Sequence, residues 1–366
     1  MQEIINIGVI GCGNISGQYM TAMKTFPMVK ITGCADLDMK IAEKKAEEYD
    51  FTAMSIDDLL NDRTIDIILN LTIPKAHTEV NLMALQSGKH VHCEKPLATS
   101  RKEGAKVLKL AREKGLLVGC APDTFLGGGL QTCRKIIDDG WIGKPVAGTA
   151  FMMCHGHESW HPNPGFYYLS GGGPLYDMGP YYITALINLL GPVKRVSAVS
   201  AMTFKERLAT SKEQYGNILP VEVPTHITGI LEFCNGAVIT MVMSFDVWHH
   251  SNHNIEIHGE LGSLQVPDPN TFWGPVKINQ RGEDSWQTVP LSHGYTDKMR
   301  GIGVADMACA IKEKRVNRCS GELGYHVLDV MEAIGESSEQ GRYIDTRSAV
   351  ERPKPLVLGL RDGEIA

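Results

Sequence analysis

The chain has 366 residues, of which 43% are hydrophobic and 21% charged, and its formal net charge is −6. That length admits two domains with well-buried cores, and the acidic balance lacks the basic face or stripe of a nucleic-acid-binding protein. The first ten residues carry Glu3 and run straight into a strand pattern without a basic leader, the longest apolar-rich stretch is too short to span a bilayer, and nine scattered cysteines contain no CxxC pair, so a cytoplasmic protein with reduced thiols is expected.

The first 120 residues alternate strand and helix. Continuous apolar runs predict strands over Ile4–Ile10, Val29–Ala35 and Ile65–Leu71, with shorter ones at Val91–Cys93 and Leu116–Cys120. Between them, amphipathic spacing predicts helices over Ser16–Phe26, Lys40–Tyr49, His77–Ser87 and Arg101–Lys114. This alternation implies βαβ units and a parallel sheet covered on both faces. From Pro145 onward strand-like runs follow one another: Val146–Met153, Val193–Met202, Thr225–Phe233, Ala237–Phe245, Asn254–His258, Ser263–Val266 and Val276–Asn279. Helical segments are expected at Gln131–Asp139, Asp177–Leu190, Met299–Lys314 and Tyr325–Gln340. The expected architecture is an α/β Rossmann domain over residues 1–122. An α+β substrate-binding and oligomerisation domain with a large, mostly antiparallel sheet follows over 123–366.

The turn after the first strand reads Gly11-Cys12-Gly13-Asn14-Ile15-Ser16. Gly11 permits a tight turn, Gly13 lets backbone approach a pyrophosphate, and the small Ser16 takes the place of the third glycine of a dinucleotide-binding turn. Asp36 ends the second strand 23 residues after Gly13 (36 − 13). A carboxylate there accepts hydrogen bonds from ribose hydroxyls and repels a 2′-phosphate, which favours NAD over NADP. Asp38 reads as a helix cap.

Glu94-Lys95-Pro96 falls just past the fourth strand, where ligands bind in open α/β sheets. In Gly171–Tyr182, Asp177 and Tyr181 share the i, i+4 spacing that puts an acid and a phenol on one helix face.

Together with Thr72-Ile73-Pro74, His77 and the Gly140–Pro145 turn, these segments resemble the glucose–fructose oxidoreductase, inositol dehydrogenase and rhizopine catabolism (Gfo/Idh/MocA) family over almost the whole chain. The resemblance implies NAD as cofactor, held by Gly11, Gly13, Asn14, Ile15, Asp36, Thr72, Pro74, His77, Glu94 and Lys95. It implies that Lys95 and Asp177 are catalytic and that the position of Tyr181, where most members carry histidine, transfers the proton. A tyrosine serves when a nearby cation stabilises its phenolate, and Lys95 is the expected cation. Asp123, His155, His157, Trp160 and His161 are expected to line the substrate pocket, although Asp123 and His161 stand where many members have asparagine and arginine.

Three histidines and a cysteine within Cys154–His161 also permit a zinc reading, with His155 and His157 on one strand face; the chemistry implied needs no metal. The cluster Trp248–His253 reads as a solvated turn or subunit contact, and Tyr182 as packing. The activity implied is hydride transfer between NAD and a secondary hydroxyl or ketone of a sugar, glycoside or cyclitol by a homodimer or homotetramer, with neither nucleic acid nor membrane as partner. The alternatives are a redox-assisted glycosidase with no net oxidation and a non-catalytic sugar or NAD sensor.

Overall fold

A computed structural model describes residues 4–365. The N-terminal part contains β1 (Ile5–Ile10), α1 (Ser16–Met23), β2 (Val29–Ala35), α2 (Met39–Tyr49), β3 (Thr52–Ala53), α3 (Ile56–Asn61), β4 (Ile67–Asn70), α4 (Pro74–Gln86), β5 (His90–Cys93), α5 (Arg101–Lys114) and β6 (Val118–Cys120). Its six strands form a parallel sheet in the order β3-β2-β1-β4-β5-β6. Ile7 and Val9 of β1 and Ile67, Ile68 and Leu69 of β4 are fully buried, as strands covered on both faces require. The chain steps from β1 outward to β3 and then crosses back to β4. The order therefore reverses beside β1, and that reversal opens a crevice at the carboxyl ends of β1 and β4. α5 has clear local ends: Ser100 accepts the Glu103 amide, and Gly115 closes the helix in the left-handed conformation.

A 3-10 turn (Thr124–Leu126) and α6 (Gly128–Asp138) lead into β7 (Pro145–Met153). A second 3-10 turn (Gly165–Tyr168) precedes α7 (Gly173–Leu190). Next come β8 (Val193–Ala201), β9 (Glu206–Leu208), β10 (Ile218–Pro220), β11 (His226–Phe233), β12 (Val238–Ser244), β13 (Ile255–Gly259), β14 (Gly262–Val266), β15 (Val276–Gln280) and β16 (Gln287–Val289). α8 (Ile302–Glu313), α9 (Gly321–Gln340) and β17 (Ile344–Asp345) follow. Among the described residues nine of these strands make one sheet, in the order β16-β15-β14-β13-β7-β12-β11-β8-β17, and β9 and β10 pair separately. The large sheet is antiparallel except at its centre, where β7 and β12 run parallel.

α7 begins four residues before the expected Asp177, because Gly173 and Pro174 suit a first turn. It also carries Pro180 inside the helix. α8 and α9 return to the first sheet. Cys120 donates its amide to the Cys319 carbonyl (2.9 Å), and Gly119 bridges Ser320. Arg101 at the start of α5 binds Asp329 of α9 through Nε (2.5 Å) and also pairs with Glu332 and Glu336. Among the described residues no helix is long and apolar enough to cross a membrane.

Candidate active site

The glycine turn sits at the mouth of the crevice. Gly11 adopts φ +99°, and a Cβ there would meet the Leu71 carbonyl carbon at 2.7 Å, so only glycine fits. A Cβ on Gly13 would meet no heavy atom within 4 Å, and Gly13 and Asn14 both face open space. No side chain caps the start of α1 at Ile15; the Ser16 and Gln18 amides donate to the Gly13 (3.1 Å) and Ile15 (3.0 Å) carbonyls, and the positive end of the helix faces the crevice. Ser16 is fully buried and turns its hydroxyl to the Gly13 carbonyl (2.7 Å). Asp36 Oδ2 accepts the Cys12 amide (2.8 Å) and Oδ1 the Asp38 amide (3.1 Å). Lone pairs remain on both oxygens for ribose hydroxyls. Open backbone, a helix N-terminus and a carboxylate fit a dinucleotide. Asp38 caps α2, its side chain accepting the Lys40 amide (3.1 Å).

His77 is fully buried, with Nδ1 2.6 Å from the Pro96 carbonyl and Nε2 2.9 Å from the Thr72 carbonyl. It ties the turn after β4 to the turn after β5, and so fixes Lys95 from beneath. Thr72 closes its own turn by donating to Asn70 Oδ1 (2.7 Å), and Pro74 opens α4. Glu94 is buried. Its two oxygens accept the Tyr19 hydroxyl (2.6 Å) and the Lys95 amide (2.9 Å). Burial works to raise the Glu94 carboxyl, yet Arg300, the Tyr19 hydroxyl and Lys95 hold it below its ordinary value.

Lys95 Nζ donates to the Asp177 carbonyl (2.6 Å) and to Asp177 Oδ1 (3.1 Å). An ammonium has three donors, so one is left for a ligand. Burial pulls the Lys95 proton affinity down, but Asp177, Tyr181 and Glu94 together raise it above the ordinary lysine value, which keeps it a cation at any neutral pH. Its Nζ lies 5.3 Å from the centroid of the Tyr181 ring. Tyr181 is 6% exposed, and burial raises its phenol while Lys95 and Arg300 act to lower it.

Arg300, just before α8, was not a sequence expectation. Its Nη2 donates to Asn270 Oδ1 (2.7 Å), while Nη1 is buried without a hydrogen-bond partner among the described residues. An arginine beside a glycine, 119 residues after Tyr181 (300 − 181), carries no sequence signal of this placement.

The pocket residues divide. His157 Nε2 is 3.6 Å from Asp177 Oδ2, and Trp160 and Tyr167 lie against the His157 ring at 5.2 and 3.8 Å between centroids. His155 turns elsewhere and stacks on Trp248 at 3.3 Å. β7 ends at Met153 and Gly156 turns with φ +78°, so the two histidines do not share a strand face. Among the described residues, no group of three or more histidine, cysteine or carboxylate side chains has metal-holding geometry. His161 lies edge-on to Trp160, Phe166 and Tyr167 and accepts the Asn163 amide at Nδ1 (3.0 Å). Asp123 is fully buried, and its Oδ2 accepts the Gly301 (2.7 Å) and Gly303 (3.2 Å) amides. Its carboxylate caps α8 at Gly301 and does not line the His157 pocket. Trp248 is largely exposed and is the stacking partner of His155. The Tyr182 hydroxyl accepts from Asn254 (2.7 Å) and donates to the Phe151 carbonyl (3.3 Å) within the second domain.

A dinucleotide crevice facing a lysine, a carboxylate and a phenol defines a nicotinamide-dependent oxidoreductase of two-domain build. Residues 5–121 match a family model described as an oxidoreductase family with an NAD-binding Rossmann fold, and residues 130–265 match the GFO/IDH/MocA C-terminal domain. The chain belongs to the Gfo/Idh/MocA oxidoreductase family. It is 24% identical to levoglucosan dehydrogenase of Pseudarthrobacter phenanthrenivorans, over 93% of this chain and 98% of that protein. It is 23% identical to D-glucoside 3-dehydrogenase of Escherichia coli, over 93% and 97% of the two chains. The solved structure of levoglucosan dehydrogenase in complex with NADH and L-sorbose has the same fold, with a TM-score of 0.82 at 22% identity over 94% of this chain and all of that one.

Proposed function

We propose that the protein is an NAD-dependent dehydrogenase that interconverts a secondary hydroxyl and a ketone on a sugar, glycoside or cyclitol. The contact of Lys95 Nζ with Asp177 beside the Tyr181 ring carries this reading. NAD, when bound, supplies the hydride acceptor. Gly11, Gly13, Asn14 and Ile15 cradle its pyrophosphate, and Asp36 receives its ribose hydroxyls. Thr72, Pro74, His77 and Glu94 hold the two turns that border it.

The third Lys95 donor binds the reacting oxygen and favours its alkoxide by charge. Asp177 orients Lys95 and accepts from a neighbouring substrate hydroxyl. Tyr181 takes the proton as a general base, its phenolate favoured by Lys95. His157, Trp160 and His161 present the imidazoles and aromatic faces that suit a polyol ring, while His155 stacks on Trp248. The nature of its relatives supports the carbohydrate class: they include dehydrogenases named for levoglucosan, D-xylose and D-glucosides.

The test is to incubate the purified protein with NAD, and NADP in parallel, against sugars, glycosides and inositols while following NADH absorbance. The expected result is turnover with NAD that vanishes in Lys95→Ala. Glycoside cleavage without NADH release would replace the dehydrogenase with the redox-assisted glycosidase.

A further inference from the structure

The segment after β7 carries its aromatic rings in two steps. The inner step reaches Asp177: His157 Nε2 is 3.6 Å from Oδ2, and Tyr167 stacks on the His157 ring at 3.8 Å between centroids with 12° between planes. The outer step continues the same wall. Trp160 lies 5.2 Å from His157, Phe166 lies 4.1 Å from Tyr167, and His161 joins the two, edge-on to Trp160 at 5.4 Å and to Phe166 at 5.5 Å. Exposure rises outward along the wall: His157 is 8% exposed, Phe166 52% and Trp160 61%.

The wall is fixed to the elements that hold the reacting groups. Trp160 and His161 both donate their amides to the His157 carbonyl (3.3 and 3.0 Å), so the outer rings follow the inner one. The 3-10 turn with Phe166 and Tyr167 abuts the start of α7, where a Cβ on Gly172 would meet their carbonyl oxygens at 2.7 and 2.6 Å. That helix carries Asp177 and Tyr181. Beneath the segment the Tyr168 hydroxyl accepts the His157 amide (3.1 Å) and donates to Glu158, which Arg207 of β9 binds (2.8 Å); all three side chains are buried.

Scattered exposed rings are ordinary on a protein surface. Two rings held side by side at the rim of a reaction pocket form a preformed apolar surface, and such a surface binds without the cost of ordering it. A sugar ring beside Lys95 and Asp177 fills the inner step. A group joined to it through the glycosidic oxygen and directed outward meets Phe166 and Trp160.

We infer that the outer step is a subsite for an aromatic aglycone, and that the substrate is an aryl glycoside rather than a free sugar. This rests on the dehydrogenase reading above and names its substrate class. The sugar C–H bond yields a hydride to NAD, the hydroxyl proton goes to Tyr181, and the glycosidic bond stays intact. The aglycone stacks offset or edge-on against Trp160 and Phe166, as aromatic pairs prefer. An aromatic ring buries carbon on both faces, whereas a second sugar must keep its hydroxyls wet.

Calorimetric titration of the whole chain loaded with NADH tests the subsite. The probes are phenyl and methyl glycosides of glucose, galactose and xylose in both anomers. For the sugar that binds, the phenyl glycoside is expected to bind at least about tenfold more tightly than the methyl glycoside, which corresponds to 1.4 kcal/mol. Trp160→Ala should bring that ratio close to one, Phe166→Ala should lower it, and Trp160→Phe should keep part of it. Both rings are more than half exposed, so the substitutions leave the fold intact. A ratio near one in the parent is what a partner subunit seated on the two rings would give, and it overturns the subsite. So does failure of every phenyl glycoside to bind, or a ratio unchanged in both alanine variants, since the phenyl ring is then held elsewhere. NADH formation separates the two readings. Turnover of free sugars with no phenyl advantage overturns the subsite and leaves the dehydrogenase standing. A phenyl advantage that needs Trp160, with no NADH from any sugar or glycoside, supports the subsite and overturns the dehydrogenase.

Discussion

The Arg300 guanidinium carbon lies 5.5 Å from the centroid of the Tyr181 ring, about as close as the Lys95 ammonium at 5.3 Å. Two cations therefore act against burial on one phenol, whose proton affinity burial still holds above its ordinary value. Removing Arg300 raises the Tyr181 pKa further, so more alkaline solution is needed to form the phenolate. Arg300→Met is expected to move the rising limb of the oxidative pH profile upward by about one unit, the usual effect of a single nearby charge. Arg300→Lys should restore part of the shift. A profile unmoved in Arg300→Met would remove the second cation from the account.

Tyr181→Phe keeps the ring and deletes the hydroxyl. General-base catalysis contributes about 10²–10⁴-fold, and kcat is expected to fall within that range. NADH binding, read by fluorescence, should remain. A loss of less than tenfold would leave Tyr181 as a substrate contact only.

Cofactor choice is expected to follow Asp36. Its carboxylate accepts the Cys12 amide and leaves lone pairs for the ribose. Asp36→Ala removes both the ribose acceptor and the charge that repels a 2′-phosphate. The NADP to NAD ratio of kcat/KM is expected to rise at least tenfold, and an unchanged ratio would assign discrimination elsewhere.

Acid should unfold this protein in a defined window. Burial pushes His92 and His326 down to about 4. His326 Nε2 accepts the Val193 amide (3.1 Å), which an imidazolium could not do. In the unfolded chain both histidines bind protons from about pH 6.5 downward. The unfolded state then holds more protons than the folded one, so stability falls as pH drops from about 6.5 to about 4 and levels off below. Urea midpoints at pH 7, 5.5 and 4.5 are expected to decline, and less steeply in His92→Phe. A flat series would show that these rings charge freely in the fold.

The Arg101 contacts to Asp329, Glu332 and Glu336 join α5 to α9. Breaking a buried pair by removing one partner costs about 3–5 kcal/mol. Arg101→Met is expected to lower unfolding free energy by about that much in denaturant melts. A cost under about 1 kcal/mol would mean that Asp329 is sufficiently served by the Arg347 and Ser348 amides.

Elements with strong local signals were legible. β2 and α5 have the expected bounds, because an apolar run between turns and a Ser-to-Gly capped helix announce themselves. β3, β9, β10, β16 and β17 are two or three residues long and offered no periodicity to read. The parallel β7–β12 pair escaped because strands that follow one another suggest hairpins, whereas β12 lies beside β7 only after α7 and four more strands have intervened. In the site, Lys95 and Asp177 were read from a resemblance, since nothing in the spacing of residues 82 apart implies contact (177 − 95). His155 and His157 alternate as strand neighbours do, and the glycine between them undoes that pattern. Arg300 reaches the site through tertiary structure alone.

The Cys120–Cys319 backbone contact has a consequence for synthesis. The last strand of the first sheet leaves the ribosome 199 residues before the segment that covers it (319 − 120). At about 5–20 residues per second this is a wait of roughly 10–40 s. Throughout it Leu97, Val118 and Cys120 have no cover from Gly321 and Gly324, whose missing side chains are what let α9 sit so close. The nascent chain thus carries an unfinished apolar edge for most of its emergence, a natural place for a chaperone to bind.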